Sequence, residues 1–202
     1  MNKFIAIVGT NASQSTNREL LKYMQRHFQD QATIEIVEIA GFPIYKKSAD
    51  QYIPEGIKKI AQRIEAADGV IISTPEYDHS IPAALTSFLA WLSYEIHPFV
   101  DKPVMITGAS YGSLGSSRAQ AQLRQILDSP ELKARIMPSS EFLLGHSLQA
   151  FDDKGDLKDV QLVEQLDGLF KDFEQFVNIS KELNHAHDIN KKKAEQFSWD
   201  KD

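Results

Sequence analysis

Apolar residues fall into two rhythms along the chain. Phe4-Ile5-Ala6-Ile7-Val8-Gly9, Gly69-Val70-Ile71-Ile72-Ser73-Thr74 and Val104-Met105-Ile106-Thr107-Gly108 are short, nearly continuous apolar runs. Strands buried on both faces of a parallel sheet have this pattern, whereas Thr33 to Ile39 alternates as a strand nearer the sheet edge does. Between the runs, apolar residues recur at helical spacing over Asn17 to Phe28, Pro54 to Ala67, Pro82 to Tyr94 and Ser117 to Leu127, with Pro54 at a first-turn position. A fifth strand is expected between Ala134 and Leu144. Leu157 to Leu183 reads as a closing helix, with Leu162, Leu166, Leu169, Phe173 and Phe176 close to one face. Regular alternation of strand and helix predicts an α/β domain built on a parallel sheet, spanning residues 1–183 without an internal repeat or linker. Residues 184–202 are polar, with Phe197 and Trp199 as their large anchors, and read as a C-terminal tail. His185 and His187 in that tail lack a third ligand in view, so no metal site is expected there.

Composition narrows the function. A chain of 202 residues supports one core without staples, and a formal net charge of −6 argues against a nucleic-acid or anionic-membrane footprint. A small-molecule partner is expected instead. No stretch approaches the roughly 20 apolar residues of a membrane span. Met1-Asn2-Lys3 runs straight into a strand-like segment, so the cytoplasm is the expected compartment. Cysteine is absent, which excludes disulfides, thiolate metal sites and cysteine redox chemistry. Redox work would have to be carried by a cofactor.

Ligands of such sheets bind beyond the carboxyl ends of the strands, where the chain reverses direction across the sheet. Three loops there are specialised. TNASQSTN, residues 10–17, can supply side-chain donors from Thr10, Ser13, Ser15, Thr16 and Asn17. The N–H groups and dipole of the following helix would add to them, which suits a terminal phosphate held without metal. A polar turn ending in an ordinary helix cap is the plainer alternative. Neither the lysine and glycines of a P-loop nor G-x-G-x-x-G is present. Thr74-Pro75-Glu76-Tyr77-Asp78-His79-Ser80-Ile81-Pro82 places an aromatic, Tyr77, at the same edge, against which a planar heterocycle could lie. His79 has no nucleophile or orienting acid beside it and reads as structural. Gly108 to Ser117 carries glycines that let backbone approach a ligand closely.

The same residues resemble the NAD(P)H-dependent FMN reductases, a flavodoxin-like family with quinone, azo-dye and chromate reductases among its members. The resemblance covers about residues 3–180. T-P-E-Y-D-H-S-I-P at 74–82 is its most specific element, and G-T-x-x-S-x-S-x-N at 9–17 and G-x-L-G-x-x-R-A-Q at 112–120 support it. It implies a three-layer sandwich on a five-stranded parallel sheet in the order 2-1-3-4-5. It also implies FMN as cofactor, with Thr10, Ser15, Thr16 and Asn17 at its phosphate. Pro75, Glu76, Tyr77 and Asp78 would line the ring, and Ser110, Tyr111 and Gly112 its other side. Two residues depart from the family pattern. Ala12 stands where many relatives carry arginine, removing a charge-assisted phosphate contact. Asp78 stands where they carry asparagine, placing an acceptor beside the ring where relatives offer a donor, with a lowered flavin potential expected.

The activity implied is hydride transfer from NADPH or NADH to flavin N5, then electron transfer to a small acceptor such as a quinone, free flavin or azo compound. The flavin supplies that chemistry, which accounts for the lack of an acid–base pair or nucleophile in the sequence. A flavodoxin-type carrier or an FMN-binding regulatory module without turnover is the alternative. Arg18, Arg118 and Arg124 are each candidates for a 2′-phosphate contact, leaving the nicotinamide open. A homo-oligomer is expected as well, because Leu85, Phe88, Leu89, Trp91, Leu92 and Tyr94 spread over more than one face of their helix.

Overall fold

In the computed structural model, which describes residues 1–47, 52–94, 96–138 and 141–196, the expected alternation is present. The order is β1 (Asn2–Val8), α1 (Thr16–His27), β2 (Ala32–Glu38), α2 (Glu55–Ala66), β3 (Gly69–Ser73), α3 (Ala83–Tyr94), β4 (Pro103–Ala109) and α4 (Ser117–Leu127). It continues through β5 (Arg135–Ile136), β6 (Phe142–Leu144), α5 (Val160–Glu182) and α6 (His187–Gln196). All strand pairs are parallel and the order is 2-1-3-4-5.

Two features differ from the expectation. The fifth position is shared by two short strands, because β5 and β6 both pair with β4. The Arg135 and Met137 N–H groups donate to the Lys102 and Val104 carbonyls, so Pro138 stands where its missing N–H would face away from β4 and costs no ladder bond. Residues 184–196, read as tail, form a 3-10 turn and α6. His187 Nδ1 and Asn190 Nδ2 of this segment bond the Asp101 carboxylate, and Ala194 is buried. Phe197 and Trp199 lie outside the described residues.

Side-chain alternation along β1 divides the core into two layers. Ile5 and Ile7 face the layer closed by α2, α3 and α4, while Phe4, Ala6 and Val8 face the layer closed by α1 and α5. In the second layer Phe28 stacks on Phe170 at 3.7 Å, and Phe4 packs edge-on to Phe170. Burying each such ring contributes about 1.5–3 kcal/mol. Two helices start where a side chain satisfies one of their first amides. Ser15 caps α1 by accepting from the Arg18 N–H, and Asp159 caps α5 by accepting from the Gln161 N–H.

α3 corrects the basis on which an oligomer was expected. Leu85, Phe88, Leu89, Trp91 and Leu92 are all buried within the single chain. The segment after β2 covers the surplus: Phe42 lies on Phe88, Tyr45 meets Trp91 and Tyr94 edge-on, and Trp91 Nε1 donates to the Pro43 carbonyl. These covering aromatics sit in an irregular segment that carries no periodicity to read.

Candidate FMN site

The chain leaving β1 crosses to β2 on one side and the chain leaving β3 crosses to β4 on the other, so the two connections diverge at the C-terminal ends of these neighbouring strands. That divergence opens the crevice. A cavity of about 520 Å³ lies there, lined by Gln14 to Asn17 of the first loop, Pro75 to Tyr77 of the second, and Ala109 to Leu114 with Ser116 of the third. Its size is within the range of small-molecule sites. Nine of the twelve residues predicted from the sequence border it: Ser15, Thr16, Asn17, Pro75, Glu76, Tyr77, Ser110, Tyr111 and Gly112.

Thr10, Ser13 and Asp78 do not line it. Thr10 is fully buried beneath the loop, where its Oγ1 accepts from the Ala12 N–H and lies 3.3 Å from the Tyr77 hydroxyl. Thr10 therefore ties the first loop to the second. Ser13 is exposed, and its carbonyl accepts from Arg18 Nη1. Asp78 and His79 have φ of 51° and 63° between the mutually bonded Tyr77 and Ser80. This is a two-residue type I′ turn, a conformation Asn and Asp tolerate. It leaves Asp78 exposed at the tip, where water screens its charge. The effect on flavin potential expected of a carboxylate lining the ring loses most of its basis.

Asn17 has a different job from the one its position suggests. It is 2% exposed; its Oδ1 accepts from Ser73 Oγ and the Ala109 N–H, and its Nδ2 donates to the Ala109 carbonyl. Its amide latches α1 to the ends of β3 and β4. What the first loop offers a ligand is mainly backbone: among the described residues, the N–H groups of 13 to 17 have no intramolecular partner. Arg18 lies behind them, its guanidinium on Ala12 O (2.9 Å), Ser13 O (3.0 Å) and both oxygens of Glu38. The hydrogen bond to Glu38 raises the Arg18 pKa further above its ordinary value.

The second and third loops are clamped together. Ser116, the residue before α4, has φ 66° and makes no side-chain cap. Glu76 substitutes from the second loop, accepting from the Arg118 and Ala119 N–H groups at 3.0 and 3.4 Å and from Arg118 Nη1 at 3.3 Å. At the other end of the hairpin, Gln122 Oε1 accepts from Ser80 Oγ and the Ile81 N–H. Close approach at β4 requires glycine, since a Cβ on Gly108 would lie 1.8 Å from Ser116 Oγ.

One supporting residue escaped the sequence reading. Ser147, fully buried after β6, places its Oγ 2.8 Å from Thr16 Oγ1 and donates its N–H to the Ser110 carbonyl, bracing the first loop against the third. Gly145-His146-Ser147 after an expected strand was the signal available for it.

The donor set fits FMN. Unpartnered amides at a helix N-terminus suit a phosphate. The largely apolar walls between Pro75, Tyr77, Ala109, Tyr111 and Leu114 suit a planar ring. Glu76, already committed to α4, is the one charged residue in the lining.

A family model described as NADPH-dependent FMN reductase matches residues 2–149, and the chain belongs to that family. It is 52% identical over 196 residues to the NADH:(hydroxy)cinnamate reductase subunit CrdA of Vibrio ruber, covering 97% of this chain and 96% of that one. It is 44% identical over 181 residues to the NADH-dependent flavin reductase subunit 2 of Lactobacillus johnsonii, covering 87% of this chain and 97% of that one. Among solved structures, the flavoenzyme NAD(P)H:(acceptor) oxidoreductase FerB of Paracoccus denitrificans superposes with a TM-score of 0.78 at 24% identity, over 89% of this chain and 99% of that chain. That likeness is one of fold.

Proposed function

We propose that the protein is an FMN-dependent reductase that oxidises NADH and passes the electrons to a small acceptor, a quinone, a free flavin or an azo compound. The observation that carries this reading is the cavity itself, largely apolar in its walls and bordered by Gln14 to Asn17, whose amides have no intramolecular partner among the described residues. FMN, when bound, supplies hydride acceptance and electron transfer. The chain's residues would hold and shield it, the first-loop amides the phosphate, and Pro75 and Tyr77 with Ser110 to Gly112 the ring. No side chain needs to exchange a proton with substrate, in keeping with the lining. A carrier without turnover is not favoured, since the similar proteins are named reductases.

Two observations support NADH over NADPH. The similar proteins from Vibrio ruber and Lactobacillus johnsonii are named for NADH. The three arginines considered for a 2′-phosphate are all engaged, Arg18 by Glu38, Arg118 by Glu76 and Arg124 by the Met137 carbonyl. Steady-state oxidation by FMN-loaded protein with a quinone acceptor is expected to give kcat/KM for NADH at least about tenfold above NADPH, the worth of one missing charge-assisted contact. No oxidation of either nucleotide would refute the reductase reading.

The reading includes the cytoplasm, where reduced nicotinamide is supplied, and a homo-oligomer. No helix among the described residues is long and apolar enough to cross a membrane. The oligomer's basis moves from α3 to the exposed Tyr77, Tyr111 and Leu114 at the cavity and Leu148 next to Ser147. Sedimentation at micromolar concentration is expected to give a mass above the 22.8 kDa of one chain; a monomer would contradict it.

A further inference from the structure

Arg18 is a cation bonded directly to the first loop, yet it does not line the cavity. Its side chain is 14% exposed and spends its donors on Glu38 and on the carbonyls of Ala12 and Ser13. A trans peptide is planar, with its C=O and N–H pointing in opposite directions. Drawing the Ala12 and Ser13 carbonyls onto one guanidinium therefore turns the N–H groups of Ser13 and Gln14 away from it. Those two amides head the unpartnered row that continues through Ser15, Thr16 and Asn17, and Gln14 to Asn17 line the cavity. The fork is held from behind: Nε and Nη2 meet the two Glu38 oxygens at 2.5 and 2.9 Å, from the last residue of β2. Ala12 brings no cation of its own to this loop. A rigid guanidinium makes such a pair of carbonyl contacts and a bidentate carboxylate contact together, which an ammonium cannot.

We propose that the Arg18–Glu38 pair is a positioning device for the phosphate of FMN, orienting the peptide planes at 12–14 so that their amides form the anion cradle, rather than acting as a charge on the phosphate. This rests on the FMN reading above. It makes Glu38, a carboxylate on the far side of the arginine, favourable to binding an anion. Simple Coulomb attraction would give the opposite sign, because removing Glu38 would leave more net positive charge near the phosphate.

The test is equilibrium titration of FMN and riboflavin, followed by flavin fluorescence, on the native chain, Glu38→Gln and Arg18→Lys, with thermal melting of each variant. Glu38→Gln is expected to weaken FMN about three- to tenfold, and Arg18→Lys about tenfold or more, on the scale of one or two hydrogen bonds to a charged group. Riboflavin, which lacks the phosphate, should change by less than about twofold in both. Tighter or unchanged FMN binding by Glu38→Gln would overturn the proposal, as would native FMN affinity in Arg18→Lys, where charge survives and the fork is lost. Equal weakening of both flavins, or melting lowered enough to account for it, would show a merely structural role and also overturn it. If the native chain itself binds no FMN, the FMN reading fails; if it binds and the variants match it, only this inference does.

Discussion

Asn17→Leu is expected to destabilise the protein by about 3 kcal/mol, with the loss of FMN binding following from a displaced first loop. Leucine shares the branched shape of asparagine, with somewhat larger volume, and returns none of its bonds. Ser73 Oγ would lose its acceptor, and the Ala109 N–H and carbonyl would lose their partners at a site 2% exposed. Each buried group left unsatisfied costs about 1–3 kcal/mol, reduced where neighbours relax or water enters. For a chain of this length that is a fall of roughly 6–12 °C in melting temperature. Calorimetry of the apo protein checks it, and a change below about 1 kcal/mol would mean the amide is not the latch between α1, β3 and β4.

Glu76→Ala should be the next most costly substitution. It strips α4 of its cap, because Ser116 is held in the left-handed region and makes no cap bond. It also unfastens one end of the hairpin that carries Tyr77. Loss of a cap is worth about 0.5–2 kcal/mol. Glu76→Gln keeps an oxygen for the Arg118 and Ala119 amides and forfeits mainly the charge at the helix N-terminus, about 0.3–1 kcal/mol. The flavin consequence has its own signature. A loosened second loop affects the ring rather than the phosphate, so Glu76→Ala should weaken FMN and riboflavin alike, by about tenfold. Selective loss of FMN would instead tie Glu76 to the phosphate end.

How far the sequence could be read depended on the kind of signal each feature leaves. β1, β3 and β4 announce themselves because strands buried on both faces must be apolar throughout, and α1, α2 and α4 because one buried face imposes a period. The division of the fifth strand is not legible in the sequence, because Pro138 reads equally well as a strand end or as an edge-strand proline. Phe42 and Tyr45 cover α3 from an irregular segment, so the helix alone looked overexposed.

Within the site, residue type pointed to the right loops but not to each side chain's task. Asn17 and Glu76 are polar at the ligand edge, and only the tertiary structure decides that they bond to backbone rather than to a ligand. Asp78 lies in the most specific motif, and a type I′ turn points it to solvent. Arg18 reads from the sequence as one of three possible nucleotide contacts. Its hold on the Ala12 and Ser13 carbonyls depends on where β2 places Glu38, twenty residues away.

The measurement closest to the centre of this reading is a comparison of FMN and riboflavin dissociation constants for the unmodified chain. The two ligands share the ring and differ in the phosphate, so their ratio isolates what the first loop does. A cradle of several amides at a helix N-terminus predicts FMN binding tighter by about 100-fold or more, at roughly 1.5–3 kcal/mol for each hydrogen bond to the charged group. Equal affinities would show that residues 10–17 form a structural turn and that the phosphate site lies elsewhere or does not exist.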